Sequence, residues 1–335
     1  MVNDKSSKRP VLGRFKTWFM MTALLMSLSL PAYSRVIAAT GHFFSPQSQF
    51  ASSCTPQHNR ANFDGDCKTD ISVFDRSTGA WNSVNSSNQQ YVSFSFGQSG
   101  DIPTPGDYNG DGKTDRAVFR PGNGTWYIAT DTSGAFYGVS FGLSGDIPVA
   151  RDYDGDGKTD VAVFRPSDGY WYILDSSNNS VTYVQFGQSG DRVVPGDYDG
   201  DGKANVAVFR PSDGFWYIRR PDGTFYGLPF GYGSDWPVQA DYDGDSKTDV
   251  AIFRPGTGEW VILNSSSSSA TFLQFGISGD RPVPGDYDGD GKADVAVQRP
   301  DTGVWYILKS SDGNATSFYF FQGFPVPGGY LTPLY

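Results

Sequence analysis

A loop of the form D-x-D-G-D-x-K-x-D recurs six times in this chain, starting at Asn62, Asp107, Asp152, Asp197, Asp241 and Asp286, at intervals of 45, 45, 45, 44 and 45 residues. A fixed period of this length means that one supersecondary unit is repeated, each copy burying its apolar faces against its neighbours. One unit, residues 196–218, reads G-D-Y-D-G-D-G-K-A-N-V-A-V-F-R-P-S-D-G-F-W-Y-I. Residues 206–209 are a mostly β-branched run bounded by an Asp-Gly turn and Pro211, and residues 215–218 are a second run after Asp213-Gly214. Both have the length of a strand and are apolar on both faces, as expected of strands packed on neighbours at each side. A polar tip and an aromatic segment ending in Phe230-Gly231 complete the unit, and tips such as 176–180 and 265–269 read as exposed hairpin loops. Four strands in about 45 residues predict an all-β chain, a β-propeller of four-stranded blades rather than an open solenoid of shorter repeats. Six blades are expected. Seven are the alternative if the segments before Asn62 and after Phe320 together build an atypical blade.

The tail, F-F-Q-G followed by P-V-P-G-G, resembles the end of one unit and the start of another without its loop aspartates. It is expected to supply a closing segment, about 320–335, against the first blade near residues 50–62. The domain plan is then a leader over 1–34 and one propeller over 35–335. The leader carries Lys5, Lys8, Arg9, Arg14 and Lys16, then an apolar run over 18–30 and a small-residue stretch, the order of a secretory signal peptide. Its apolar core is shorter than the roughly 20 residues a membrane span needs. Cleavage is expected after Ser34, or as late as Ala39, leaving a secreted or cell-surface chain without a membrane span. Cys54 and Cys67 are the only cysteines, and in an oxidising compartment they read as a disulfide staple without a redox role.

The acidic residues are lopsided, because Glu259 is the only glutamate among 36 carboxylates. Short carboxylates in tight turns point to metal loops. In the third loop the oxygen donors are Asp152, Asp154, Asp156 and Asp160, with Gly155 and Gly157 between them. Alternate side chains in such a turn converge on one point, and like charges that close raise each other's pKa unless a cation sits between them. A hard divalent cation with all-oxygen, flexible coordination is Ca2+ rather than Mg2+. An EF-hand is excluded, because position 12 is Val163 where that loop requires a bidentate Glu, and no helices flank it. The carbonyl of Lys158 is the expected further ligand.

Together, D-Y-D-G-D-G-K-T-D-V-A-V-F and the F-G-x-S-G-D between copies resemble the FG-GAP repeats of integrin α-subunit propellers and of bacterial VCBS-type secreted proteins. The resemblance covers about residues 48–330 and implies calcium loops on one rim of the propeller. By position, it implies ligands Asp107, Asn109, Asp111 and Asp115 in the second loop, and Asp241, Asp243, Asp245 and Asp249 in the fifth. The sixth supplies Asp286, Asp288, Asp290 and Asp294. The first has Asn62 before Asp64, Asp66 and Asp70, and the fourth ends in Asn205 after Asp197, Asp199 and Asp201. These two are expected to bind more weakly, each having one carboxylate fewer than the third. Up to six calcium ions, one per repeat, are implied.

A net charge of −10 and a pI near 4.6 argue against a nucleic-acid partner. Trp81, Trp126, Trp171, Trp216, Trp260 and Trp305 follow the turns, one per unit, and are expected as core between blades rather than as sugar-stacking surfaces. Arg120, Arg165, Arg210, Arg254 and Arg299 are expected to pair with Asp101, Asp146, Asp191, Asp235 and Asp280. Asp75-Arg76 in the first unit and the extra Trp236 in the fourth unit depart from the pattern, and departures are where a ligand site is expected. No catalytic motif stands out: His42 and His58 lie outside the repeats and neither G-x-S-x-G nor H-E-x-x-H occurs. The expectation is a monomeric, non-enzymatic, calcium-binding module for a glycan or a cell-surface protein. A polysaccharide lyase or hydrolase and a purely structural scaffold are the alternatives.

Overall fold

The computed structural model describes residues 61–130, 133–320 and 323–326. The chain divides into two compact units, Met1–Phe50 and Ala51–Tyr335, and every described residue belongs to the second. The leader, Cys54 of the expected Cys54–Cys67 pair and the tail beyond 326 lie outside the described residues.

The first blade contains β1 (Ile71–Asp75), β2 (Ala80–Val84) and β3 (Tyr91–Ser95), and the second β4 (Ile102–Pro103), β5 (Arg116–Arg120), β6 (Thr125–Ala129) and β7 (Tyr137–Ser140). The third holds β8 (Ile147–Pro148), β9 (Val161–Arg165), β10 (Tyr170–Leu174) and β11 (Val181–Gln185), and the fourth β12 (Arg192–Val193), β13 (Ala207–Arg210), β14 (Phe215–Arg219) and β15 (Phe225–Pro229). The fifth consists of β16 (Trp236–Pro237), β17 (Val250–Arg254), β18 (Glu259–Leu263) and β19 (Ala270–Gln274). β20 (Arg281–Pro282), β21 (Val295–Arg299), β22 (Val304–Leu308) and β23 (Ala315–Tyr319) make the sixth, and β24 (Phe324–Pro325) returns to the first. The result is six four-stranded antiparallel sheets in a propeller ring, with no helix among the described residues.

Burial follows the position of each strand in its blade. The second strands, such as V-A-V-F-R in β9, are buried on both faces except at the final Arg. The third strands bury one face only: in β10 Trp171 and Ile173 are buried while Tyr170 and Tyr172 are half-exposed. That corrects the expectation of two apolar faces for this run, because the flanking outer strands are largely exposed and leave one side of the blade wet. Each Trp pairs across the ladder with a Phe of the second strand in five blades, and with Gln298 in the sixth. The Phe164 and Trp171 rings lie 5.5 Å apart, tilted by 50°, and Trp171 Nε1 donates to Phe186 O at 2.7 Å. All six tryptophans are buried, so they form core and offer no face to a sugar.

Four of the five expected Arg–Asp pairs form as hydrogen-bonded ion pairs, and the fifth is a looser contact. Arg165 Nε donates to Asp146 Oδ1 at 2.8 Å, and Arg120, Arg210 and Arg299 repeat the contact at the same distance. Arg254 turns instead to Glu259 at 2.5 Å and stands 3.7 Å from Asp235, so the lone glutamate takes over part of the pairing. In the first blade both partners are gone, with Gly323 in the place of Asp101 and Asp75 in the place of Arg120.

The ring closes through β24, whose Phe324 and Pro325 pair with Phe74 and Val73 of β1, and Val326 N donates to Ser72 O at 3.0 Å. The expected partner was the segment near 50–62. β1 is the physical reason for the difference, since its inner edge would otherwise be a row of unpaired backbone groups. Each first strand is only two residues long, which tolerates the proline that five of the six contain.

Candidate metal centres on the rim loops

In the second to sixth blades the aspartate loop joins the first and second strands, in the first blade it leads into β1, and the six loops are stitched into a closed cycle. The backbone N–H of position 8 donates to the position-1 carbonyl of the preceding loop. The bonds run Thr114 to Asn62, Thr159 to Asp107, Ala204 to Asp152, Thr248 to Asp197, Ala293 to Asp241 and Thr69 to Asp286, at 2.6–2.8 Å. The position-7 lysine of one loop also lies over the position-4 glycine of the loop before it. A Cβ on Gly155 would stand 3.0 Å from the Lys203 side chain, which could shift, so it is the φ of 82° that favours glycine here.

Within the third loop the carboxylates are held by backbone donors. Asp152 accepts from Gly155 N at 2.6 Å and Gly157 N at 3.0 Å, while Asp156 accepts from Lys158 N at 2.8 Å. Asp160 accepts from Tyr153 N and Ser176 N, both at 2.7 Å. The serines come from the hairpin between β10 and β11. Ser176 Oγ reaches Asp156 at 2.9 Å and Ser177 Oγ reaches Asp154 at 2.7 Å. The same pair of serines recurs as Ser86-Ser87, Ser265-Ser266 and Ser310-Ser311 in the first, fifth and sixth blades. The sequence pattern implies only exposed loops for these tips, and the signal for the grip is the recurrence of Ser-Ser one residue beyond the third strand.

Four loops bring three carboxylates so close that one oxygen from each lies within 4.8 Å of the others: Asp152, Asp154 and Asp160; Asp197, Asp199 and Asp201; Asp241, Asp243 and Asp245; Asp286, Asp288 and Asp294. Of the residues expected in these loops, Asp156, Asp249 and Asp290 stand outside the clusters, each accepting from a hairpin serine. Asn205 Nδ2 donates to Asp199 Oδ2 at 3.2 Å, so the fourth loop presents an amide in place of its last carboxylate. In the first loop Asn62 Oδ1 accepts from Gly65 N and its Nδ2 reaches Gly112 O in the second blade, while Asp64, Asp66 and Asp70 accept from the Ser86-Ser87 hairpin. In the second loop Asp107 accepts from Gly110 N and Gly112 N, and Asn109 turns its amide toward Asp111 and Asp115. That loop too has one carboxylate fewer than the third.

Burial pushes the Asp160, Asp249, Asp294 and Asp70 carboxyls up to about 6, and neighbouring aspartates add to the effect. Asp115 goes to about 7 for the same reasons. These oxygen-only donor sets, made of crowded and partly desolvated carboxylates, fit a hard divalent cation.

A model of the FG-GAP-like repeat matches residues 152–208, 197–252 and 241–297, each match running from one aspartate loop into the next. No curated protein matches the chain in sequence. Among solved structures, TolB from Acinetobacter baumannii is similar in fold at a TM-score of 0.58 and 15% identity, over 78% of this chain and 66% of that one. A streptogramin B lyase matches at a TM-score of 0.49 and 7% identity, over 79% of this chain and 86% of that chain. A lectin from Agrocybe aegerita that recognises non-reducing terminal N-acetylglucosamine matches at a TM-score of 0.47 and 16% identity, over 78% of each chain.

Proposed function

Because this chain is a β-propeller of FG-GAP repeats, we propose that it is an exported, calcium-loaded binding module that presents a glycan- or protein-binding surface outside the cell. The observation that carries the reading is the set of four three-carboxylate clusters on rim loops already tied to one another. Asp152, Asp154 and Asp160, with their counterparts in the fourth to sixth loops, would hold the ions. Calcium would supply the charge that lets these carboxylates remain ionised while half-buried. The basic and apolar leader supports export. Support for binding comes from the outer strands, each of which exposes one large aromatic: Tyr91, Tyr137, Tyr183, Phe225, Phe272 and Tyr319 are 45–73% exposed. Exposed aromatics distributed around a ring suit shallow multivalent contacts.

Elemental analysis and melting curves of the untreated protein test the metal. A chelator should lower the melting temperature strongly, with Ca2+ restoring it and Mg2+ restoring it poorly, since several sites at ~100 times their dissociation constants would each contribute about 2.7 kcal/mol. Calcium-free protein with a melting curve indifferent to chelator defeats the metal assignment. A glycan array probed with and without calcium tests the sugar version, which fails if nothing binds in either condition.

A further inference from the structure

A cavity of about 320 Å3 opens between the third and fourth blades, beside their aspartate loops. Its cause is local. By ladder register, Arg219 occupies the place held by Val84, Ala129, Leu174, Leu263 and Leu308 in the other five blades. Leu174, Leu263 and Leu308 pack as aliphatic plugs against the seams between blades. In the fourth blade the plug is replaced by a guanidinium, and the following Asp-Ser-Ser of the third blade becomes Arg220-Pro221-Asp222 in a hairpin one residue shorter. The seam is thereby left open, and Arg219 lines the opening rather than filling it. A charged side chain at a position that is aliphatic in every sister repeat works against packing, which calls for a compensating role.

We propose that this cavity binds one sugar residue carrying an anionic group, a carboxylate or a sulfate. Arg219, Arg220 and Lys203 supply the cationic wall, and Ile173, Val184 and Val206 form an apolar floor for the face of the ring. Asp175 and Thr182 stand on the third-blade side as partners for hydroxyl groups. Asp222, at the tip of the hairpin, also feels both arginines, and Arg220 lies 4.7 Å over the Tyr226 ring, contacts that help to hold the cationic wall in place. The three cations face Asp154, Asp175 and Asp201 in the lining. Asp154 and Asp201 belong to the metal clusters, and calcium bound there would draw on their charge and leave Arg219 and Arg220 freer to meet an anion. A volume near the lower end of the ~300–1,000 Å3 range of ligand sites suits a single sugar ring. The proposal rests on the calcium-loaded binding reading and names the ligand class for one seam.

Calorimetric titration of the full calcium-loaded chain with galacturonate and with N-acetylglucosamine 6-sulfate, against galactose and N-acetylglucosamine, decides it. At least one anionic sugar should bind ten-fold or more tightly than its neutral counterpart, and the better of the two identifies the group. Arg219→Leu, which restores the aliphatic plug of the sister repeats, should melt at or above the parent temperature and lose at least ten-fold in affinity. Arg220→Asn, the residue of the first and fifth blades, should lose affinity without a change in fold. Equal binding of neutral sugars, or unchanged affinity in Arg219→Leu, overturns the site. A parent chain that keeps its calcium-dependent melting yet binds neither anionic sugar overturns this pocket while leaving the calcium reading intact.

Discussion

The last carboxylate of each rim loop shows how much a single position depends on its surroundings. Asp160, Asp249 and Asp294 are fully buried, accept two or more hydrogen bonds, and still have their carboxyls pushed up to about 6, because burial penalises the charge more than the donors relieve it. The sign of the pH effect follows. Without a cation, the folded chain holds protons between roughly pH 4 and 6 that the unfolded chain has already released, so stability increases as pH falls through that window. Calcium bound in these loops would favour the ionised form and offset this penalty. In chelator, the melting temperature should therefore be several degrees higher at pH 5.5 than at pH 7.5, and the rise produced by calcium should be smaller at the lower pH. Melting curves at both pH values, with and without the ion, check this; a chelated protein that is less stable at pH 5.5 contradicts it. A different residue-scale feature is position 6 of the loops, where Cys67 and Ser246 adopt φ of 70° and 69° in the place of glycine.

At the scale of elements, the blade is organised by the contrast between its second and third strands. The second strand is sandwiched between neighbours, whereas the third turns one face to the core, and the Trp of that face closes the seam. Trp171 is wholly buried and satisfies its indole N–H through Phe186 O. Trp171→Ala should cost about 3–5 kcal/mol, since it removes a large ring from a close-packed seam that cannot collapse. Denaturant unfolding measures this, and a loss below ~1 kcal/mol would mean that the seam repacks. The serine hairpins belong to this scale too. They link the outer edge of a blade to its own rim loop, so four of the six loops are gripped by a hairpin and by their neighbours' backbones at once.

For the ring as a whole, closure depends on a two-residue strand. β24 supplies the inner edge of the first blade, Arg76 lies 4.0 Å over the Phe324 ring, and Thr69 N completes the loop cycle by donating to Asp286 O. A closed ring has no exposed inner edge at its seam, and a strand carried from the far end of the sequence makes the first and last blades mutually dependent. Phe324→Ala should therefore destabilise by about 3–5 kcal/mol and expose the first blade ahead of the rest. Limited proteolysis should show early cleavage within residues 61–95, and uniform protection of that segment in the variant would contradict the closure argument.

Period, strand count, fold class and the Arg–Asp and Trp roles were all legible in the chain, because each is written five or six times and repetition averages away local ambiguity. The aspartate loops were legible for the same reason, down to the alternation of aspartate and glycine. Tertiary structure decided what no local period encodes. The partner of the closing strand could not be read, since a two-residue strand carries no period of its own and its mate lies some 250 residues away in sequence. The grip of the hairpin serines on Asp154 and Asp156 joins residues 20 and 23 positions apart, a spacing that no helix or strand periodicity encodes. Nor could the sequence show that Arg219 opens a cavity, because that depends on the aliphatic plug it displaces from a seam between two blades. Local pattern specifies what each blade is; contact between blades, which falls off with no fixed sequence interval, specifies where the ring closes and where it opens.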